Sequence, residues 1–395
     1  MRLYRMFAPW PAPAVGILLT WPRPGHSLII TSSSDALLVR GHEHWFVPVI
    51  IHAERLQMRR VSFRFSLPCA VAACLLAVPA LAEPIQWVTV GDPGNAADTT
   101  TYGDVATSFQ IMKYEFTNQQ YADFLNSVAA TADPYSLYNA SMDSDPRGGI
   151  TQSATSGGYA YAFKTNMGDK PVNYVSWFDA ARVSNWYQNG ATSSSSTETG
   201  AYTLVGGQTS GIAPGVNNGA TFSIPTEDQW YKAAYYKGGG TNAGYWDYAT
   251  QSDAVPMAVT AGPTGIGSSG STGNFANWGA AADWNGQDGN VTTVGTNGDP
   301  SAYGAFDMSG NVSEWNDQGG LASVLRGLRG GCWAHGSDSL ASSYGYTDAP
   351  TTENSFRGFR LASSVPEIDP NSLGSVLALV LGSLGLLERR RLKAA

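Results

Sequence analysis

The sequence predicts one irregular α+β domain that is rich in loops, and three observations predict it. Only 14% of the 395 residues are charged, against roughly 25% in an ordinary soluble domain. Glycine contributes 45 residues, and aromatic residues make up 11% of the chain. Three capped helical patterns stand among short apolar runs that end at Gly, Asn, Ser or Asp. This combination, with a net charge of −8, excludes a coiled coil, an acidic disordered protein and a surface that binds nucleic-acid phosphates.

The helical patterns are the most regular part of the chain. The first begins at the capping box Thr117-Asn118-Gln119-Gln120. Its apolar face comprises Tyr121, Phe124, Leu125 and Val128. The second runs from an N-cap at Ser176 to a stop at Gly190, and the third lies between Thr226 and Gly238. The Ser-, Gly- and Asn-rich segment 191–220 is predicted to be a surface insertion.

Residues 58–82 have the pattern of a secretory signal peptide. A basic start precedes the apolar run 67–78, and Ala80-Leu81-Ala82 supplies a cleavage site of the A-x-A type. This pattern predicts a mature chain that begins at Glu83, with residues 1–57 as an upstream extension outside the fold. In the alternative, the N-terminal region is genuine and 67–81 is an internal anchor, although that run is short for a membrane span.

The C-terminal residues 365–395 form a second targeting pattern. Val365-Pro366-Glu367 is followed by the apolar run 373–387 and then by the basic cluster 388–393. This order resembles a PEP-CTERM sorting signal, with Val-Pro-Glu in place of Pro-Glu-Pro. The resemblance implies an exosortase-type processing enzyme as partner and a location at the cell surface or in the extracellular matrix. A plain C-terminal membrane anchor is the alternative, and either one places the body outside the cytoplasm.

The predicted body, 83–364, differs in composition from the whole chain. It holds 11 Lys and Arg against 25 Asp and Glu, a formal charge of −14, which suits divalent cations outside the cell. Its only thiol is Cys332 and its only imidazole is His335. An intramolecular disulfide and any site that needs two histidines, such as an H-E-x-x-H zinc site, are therefore excluded from the body.

Six segments of the body resemble, in the same order, the motifs of the formylglycine-generating enzyme, or sulfatase-modifying factor, family. They are Phe109–Tyr121, Lys170–Trp177, Ile224–Trp230, Tyr303–Trp315, Arg329–Trp333 and Gly358–Leu361. The resemblance covers roughly Trp87 to Ala362, and Ser313 replaces the first Trp of the family's W-E-W. It implies a compact, loop-rich α+β fold related to the C-type lectin fold.

The resemblance fails at the family's catalytic cysteines. In active members, two cysteines bind a copper ion that activates oxygen and converts a sulfatase cysteine to formylglycine. His335 and Leu340 occupy those positions here, so neither copper nor this reaction is expected. Cys332 and His335 are the remaining catalytic candidates for a changed metal site. In the alternative, Cys332 is a small buried residue and His335 a loop residue, because a strand would place them on opposite faces.

The same resemblance implies two calcium sites as the cofactor positions of the domain. The first set comprises Asn277 and Asp288 by side chain, and Trp278 and Asn290 by carbonyl. The second set comprises Asp307 and Glu314 by side chain, and Gly310 and Val312 by carbonyl. Oxygen ligands of these types suit a hard cation. In the alternative, Asp307 and Glu314 cap turns without a metal.

Two further groups of residues have a structural and a functional interpretation. The first group is four arginines, which in the structural interpretation neutralise clustered carboxylates and in the functional one line a cleft for an acidic ligand: Arg326, Arg329, Arg357 and Arg360. The second group is five aromatic residues, which in the structural interpretation belong to the core and in the functional one stack on sugar rings: Tyr235, Tyr236, Tyr245, Trp246 and Tyr248.

We therefore expect an exported surface module, stabilised by calcium, that binds glycan, protein or matrix and does not form formylglycine. The alternative is an oxidoreductase of this family that acts on sulfatases or another substrate through an altered metal site. No nucleic-acid partner is expected, and membrane contact is expected through 373–387.

Overall fold

A computed structural model describes residues 16–20, 27–33, 36–40 and 84–365. The chain divides into two units, Met1–Leu76 and Ala77–Ala395. The predicted signal peptide 58–82 and the segment 366–395, with its apolar run, lie outside the described residues. Among the described residues, no helix has the length and apolar composition needed to cross a membrane.

The first unit contains an antiparallel sheet of three strands, which the sequence analysis did not predict. Its strands are β1 (Gly16–Thr20), β2 (Ser27–Ser33) and β3 (Ala36–Arg40), in the order β1-β2-β3. Gly16 pairs with Thr31, and Ser33 pairs with Ala36.

The second unit contains short strands and few helices, joined by long loops. Its elements in chain order are β4 (Trp87–Val90), β5 (Phe109–Met112), α1 (Asn118–Val128), α2 (Ser141–Ser144), β6 (Ile150–Thr155), β7 (Gly158–Phe163), α3 (Trp177–Gln188), β8 (Phe222–Ser223), α4 (Glu227–Tyr235), β9 (Met257–Ala258), β10 (Phe275–Ala276), β11 (Ser313–Asn316), β12 (Arg326–Arg329), a 3-10 helix (Ser337–Leu340), β13 (Tyr346–Asp348), β14 (Arg357–Gly358) and β15 (Ala362–Ser364). The predicted α+β, loop-rich fold class is confirmed.

Two four-stranded sheets organise this unit. One has the order β4-β5-β15-β8, so the last strand of the fold pairs with β5 near its start, with Ala362 opposite Ile111. The other has the order β13-β12-β11-β14 and carries the segments that follow Tyr303. In this second sheet, β11 is antiparallel to β12 and parallel to β14. The second sheet positions the candidate site.

The three predicted helices form with their predicted caps. The side chains of Thr117, Ser176 and Thr226 each accept a hydrogen bond from the backbone N–H three residues later. In each case the side-chain oxygen of that later residue accepts a hydrogen bond from the backbone N–H of the cap residue. These reciprocal bonds satisfy N–H groups that a helix start otherwise leaves without partners. The third helix, α4, ends at Tyr235 and not at Gly238, because the backbone of Tyr236 is already extended.

The helices bury aromatic side chains in the core. Phe124 of α1 packs edge-on against Trp186 of α3, with 5.4 Å between the ring centroids. Trp177 packs against Tyr202 at 5.1 Å, and Tyr202 lies inside the segment 191–220. The segment 191–220, predicted to be a surface insertion, is mostly exposed or half-buried, but Tyr202 anchors it in the core, because this residue is fully buried and its hydroxyl contacts Asp317 at 3.1 Å.

Candidate functional site

The loop between Tyr303 and β11 is the centre of the candidate site. Asp307 and Asn311 adopt the left-handed backbone conformation, with φ of 58° and 63°, which Asp and Asn tolerate better than most residues. The carboxylate of Asp307 accepts hydrogen bonds from the amide of Asn297, at 2.7 Å, and from the backbone N–H of Gly295. Both oxygens of Asp307 therefore have donors from the chain.

Glu314 on β11 forms a buried bidentate ion pair with Arg360. Arg360 Nη2 lies 2.6 Å from Glu314 Oε1, and Arg360 Nε lies 2.6 Å from Oε2. The indole N–H of Trp230 also donates to Oε2, at 2.8 Å. Both charged side chains are fully buried. Nη1 and Nη2 of Arg360 also donate to the carbonyls of Met112 and Phe306, so Arg360 connects three segments of the fold.

Glu115 is a third buried carboxyl group beside this pair. Its oxygens accept hydrogen bonds from the amide of Asn311, at 2.7 Å, and from the backbone N–H of Val312, at 3.1 Å. Burial, together with the charges of Asp307 and Glu314, raises the pKa of Glu115 well above its usual range. The cluster thus sets three carboxyl groups against the single guanidinium of Arg360.

The first predicted calcium set lies against the same loop. The backbone N–H of Asn311 donates to the carbonyl of Asn277 at 2.8 Å, and the amide of Asn277 donates to the carbonyl of Asn290 at 2.9 Å. The side-chain oxygen of Asn277 is buried and has no hydrogen-bond partner. Asp288 is exposed, and the indole of Trp278 donates to the carbonyl of Pro256.

The two predicted calcium sets differ in how well they suit a cation. In the second set, the oxygens of Asp307 and Glu314 are already bound by donors of the chain, which fits an internally paired cluster better than a calcium site. In the first set, the unpartnered oxygen of Asn277 is the kind of ligand that calcium takes. Within the described ranges there is no group of three or more His, Cys, Asp or Glu that could hold a metal ion. Calcium binding at either set stays a prediction.

The positions of the family's catalytic cysteines lie in and after a tight turn. The backbone N–H of His335 donates to the carbonyl of Cys332 at 3.2 Å, so these residues close a turn and do not form the strand considered from the sequence. Cys332 is fully buried, and burial raises the pKa of its thiol to about 11. His335 is half-buried against Phe356, and burial together with Arg357 lowers its pKa.

Leu340 fills the place of the second cysteine with an apolar side chain. It is fully buried in a small core cluster with Tyr248 and Ala276. Its carbonyl accepts a hydrogen bond from the hydroxyl of Tyr235 at 3.2 Å. The chain therefore offers one buried thiol and one half-buried imidazole where the family reaction needs two thiols.

The four arginines and most of the five aromatic candidates have a structural role. Each of the four arginines pairs with an acid: Arg326 with Asp317, Arg329 with Glu227, Arg357 with Asp348 and Arg360 with Glu314. Tyr235, Tyr236 and Tyr248 are buried, so stacking of these three on a sugar ring is excluded. Tyr245 and Trp246 are half-buried.

A comparison with known protein families identifies the family of the domain that contains this site. The sulfatase-modifying factor enzyme 1-like domain, FGE-sulfatase, matches residues 90–365. The chain belongs to the FGE-sulfatase family.

The individual proteins and solved structures to which this chain is similar are more distant. Serine/threonine-protein kinase pkn1 of Chlamydia pneumoniae is 34% identical over 84 residues, and that of Chlamydia caviae is 36% identical over 81 residues. These stretches cover 17% and 16% of this chain, but only 14% and 13% of the curated relatives. The crystal structure of CarF is 24% identical, with a TM-score of 0.43, over 71% of this chain and 99% of CarF. Treponema denticola variable protein 1 is 18% identical, with a TM-score of 0.41, over 71% and 95%.

Two residues of the FGE-sulfatase domain were missed by sequence reasoning. In the sequence Glu115 is only one residue of the first family-like segment, whereas in the fold it binds residues almost 200 positions later. Arg147 lies outside every segment, yet its guanidinium stacks 4.6 Å from the ring of Trp333 and binds the carbonyls of Asp288 and Gly289. The motif Lys-Tyr-Glu-Phe-Thr could have indicated Glu115, because a carboxyl between buried residues needs a partner; nothing local indicates Arg147.

Proposed function

We propose that this FGE-sulfatase domain is an exported binding module that does not form formylglycine. The observation that carries the proposal is Leu340, an apolar core residue where the reaction needs a metal-binding thiolate. The burial and raised pKa of Cys332 support it further, because a thiol held neutral is a poor metal ligand and a poor nucleophile.

The proposal assigns the cell surface or the extracellular matrix as location. The cleavage pattern 58–82 and the apolar run 373–387 support export, processing by an exosortase-type enzyme and membrane contact before processing. The ligand class is glycan, protein or matrix. A role on the sulfatase reaction itself is the weaker candidate, favoured only by the turn that brings Cys332 close to His335.

An oxidation assay tests the absence of the family reaction. The purified full chain, supplied with copper and oxygen, is expected to leave a cysteine-containing sulfatase peptide unchanged in mass, while an active family member converts it. Copper is expected to bind no more tightly to the chain than to its Cys332→Ala variant. Conversion of the peptide, or copper binding that disappears with Cys332, would instead support the altered oxidoreductase.

We also propose that calcium binds the first set, with Asn277 and Asp288 as side-chain ligands and the carbonyls of Trp278 and Asn290. The unpartnered oxygen of Asn277 supports this. Calcium at a hundred times its Kd is expected to stabilise the domain by about 2.7 kcal/mol, measured as a rise in Tm.

Matched substitutions decide where the calcium binds. Asp288→Asn removes the only carboxylate of the first set and is expected to abolish most of the calcium-dependent rise in Tm. Asp338→Asn, at another exposed carboxylate, is expected to keep it. An equal response of the two variants would exclude the first set as the calcium site.

A further inference from the structure

Two neighbouring loops present aliphatic side chains to solvent. Backbone hydrogen bonds join Ala213 and Ser323 in both directions, at 2.9 and 3.0 Å. In such an antiparallel bridge, the flanking residues Ile212 and Val324 lie opposite each other on one face. Together with two neighbours they form what we call the aliphatic patch: Ile212, Leu321, Val324 and Leu325, with exposed fractions of 59%, 76%, 62% and 41%.

A buried arginine holds these loops in place. The guanidinium of Arg326 donates to the carbonyls of Leu321 and Pro214 at 2.8 and 2.6 Å, and to that of Ala213 at 3.2 Å. Asp317 faces the same guanidinium at 3.3 Å. A fully buried charge is costly, and here it fixes loops whose side chains remain in water. Exposed apolar surface on a fixed backbone is typical of a contact site.

The two chain segments that carry the patch contain no charged residue. Neither 204–217 nor 318–325 contains Asp, Glu, Lys or Arg, although the body has a net charge of −14. A partner recognised through charge therefore does not fit. The four side chains also offer much less than the about 800 Å² per partner that a stable protein interface buries, which argues against a second copy. An uncharged aliphatic surface can enter the headgroup region of a bilayer without desolvating an ion.

The chain leaves the described fold within reach of the patch. The backbone N–H of Ser364 donates to the carbonyl of Thr221 at 2.9 Å. Thr221 follows Ile212 by nine residues, which span at most about 30 Å. The apolar run 373–387 begins eight residues after Val365. The patch and this run are therefore close enough along the chain to contact the same bilayer.

We propose that the aliphatic patch contacts a zwitterionic lipid bilayer and is a second membrane contact beside 373–387. This rests on the membrane contact that is part of the proposed function. The patch would hold the domain against the membrane in one orientation.

The test uses the full chain, with Cys69 and Cys74 replaced by Ser, in phosphatidylcholine vesicles. An environment-sensitive fluorophore is attached at Ala322→Cys in the patch loop or, as a control, at Thr241→Cys, both exposed positions. Vesicle flotation reports the membrane contact of the chain as a whole. We expect a several-fold rise in fluorescence, quenched by brominated lipid, at position 322 and none at position 241.

Charge substitutions complete the test. Leu321→Asp with Val324→Asp is expected to abolish the rise at position 322 without affecting flotation. Met257→Asp, at an aliphatic residue 60% exposed outside the patch, is expected to leave the rise unchanged. Flotation without a rise at 322 overturns the patch contact alone, whereas loss of flotation overturns the proposed membrane contact. A rise without lipid that grows with protein concentration overturns the proposal in favour of self-association.

Discussion

Replacing Arg360 with Ala is expected to destabilise the domain by about 3–5 kcal/mol, because the substitution leaves Glu314 charged, buried and unpaired. The effect should be large because Arg360 also binds the carbonyls of Met112 and Phe306, and because Glu115 and Asp307 lie in the same cluster. The free energy of unfolding from urea titration, followed by tryptophan fluorescence, measures it.

The pair between Asp348 and Arg357 provides the control for this prediction. The side chain of Asp348 is 29% exposed, so water can solvate this carboxylate when Arg357 is removed. Arg357→Ala is expected to cost much less than Arg360→Ala. Equal losses from the two variants would contradict the special role of the buried cluster.

Replacing Gly310 with Ala is expected to have a similarly large effect. Gly310 has a φ of +87°, and an added Cβ would lie 2.3 Å from the carbonyl oxygen of Asn277. Neither backbone can move freely, because the N–H of Gly310 binds the carbonyl of Gly330 and the carbonyl of Asn277 binds Asn311. We expect a loss of several kcal/mol, or no folded protein, measured by urea unfolding and by soluble yield.

Gly304 separates backbone strain from this clash. Its φ is +88°, nearly identical to that of Gly310, but the nearest atom to an added Cβ is a methyl carbon of Val88 at 3.5 Å. Gly304→Ala should therefore cost only the left-handed strain of about 1–2 kcal/mol. If both alanine variants lose the same free energy, the close contact with Asn277 is not what requires glycine at position 310.

Local chemistry explains which parts of the fold could be predicted from the sequence. The capping boxes at Thr117, Ser176 and Thr226 join residues three apart, so their side-chain types are sufficient to place the helix starts. The absence of the catalytic thiol pair could also be predicted from the sequence, because it depends only on which residues occupy positions 335 and 340.

Distant pairing explains what the sequence left open. The four arginines could be assigned to carboxylates as a class, but only the fold pairs Arg360 with Glu314 and Arg326 with Asp317. The segment 191–220 has the composition of a surface loop, yet Tyr202 anchors it in the core through contacts with Trp177 and Asp317. Composition cannot report such a contact, because one buried aromatic residue outweighs many polar neighbours.

The pairing of β5 with β15 also constrains when the domain can fold. Ile111 pairs with Ala362, and the carbonyl of Met112 accepts a hydrogen bond from Arg360. The sheet β4-β5-β15-β8 therefore cannot be completed until almost the whole domain has been synthesised. Contacts between such distant residues make folding slow, because a long loop must close before they form. A chain that still lacks β15 therefore cannot close the first sheet, and a truncation before Ala362 is expected to leave β5 without one of its two partner strands.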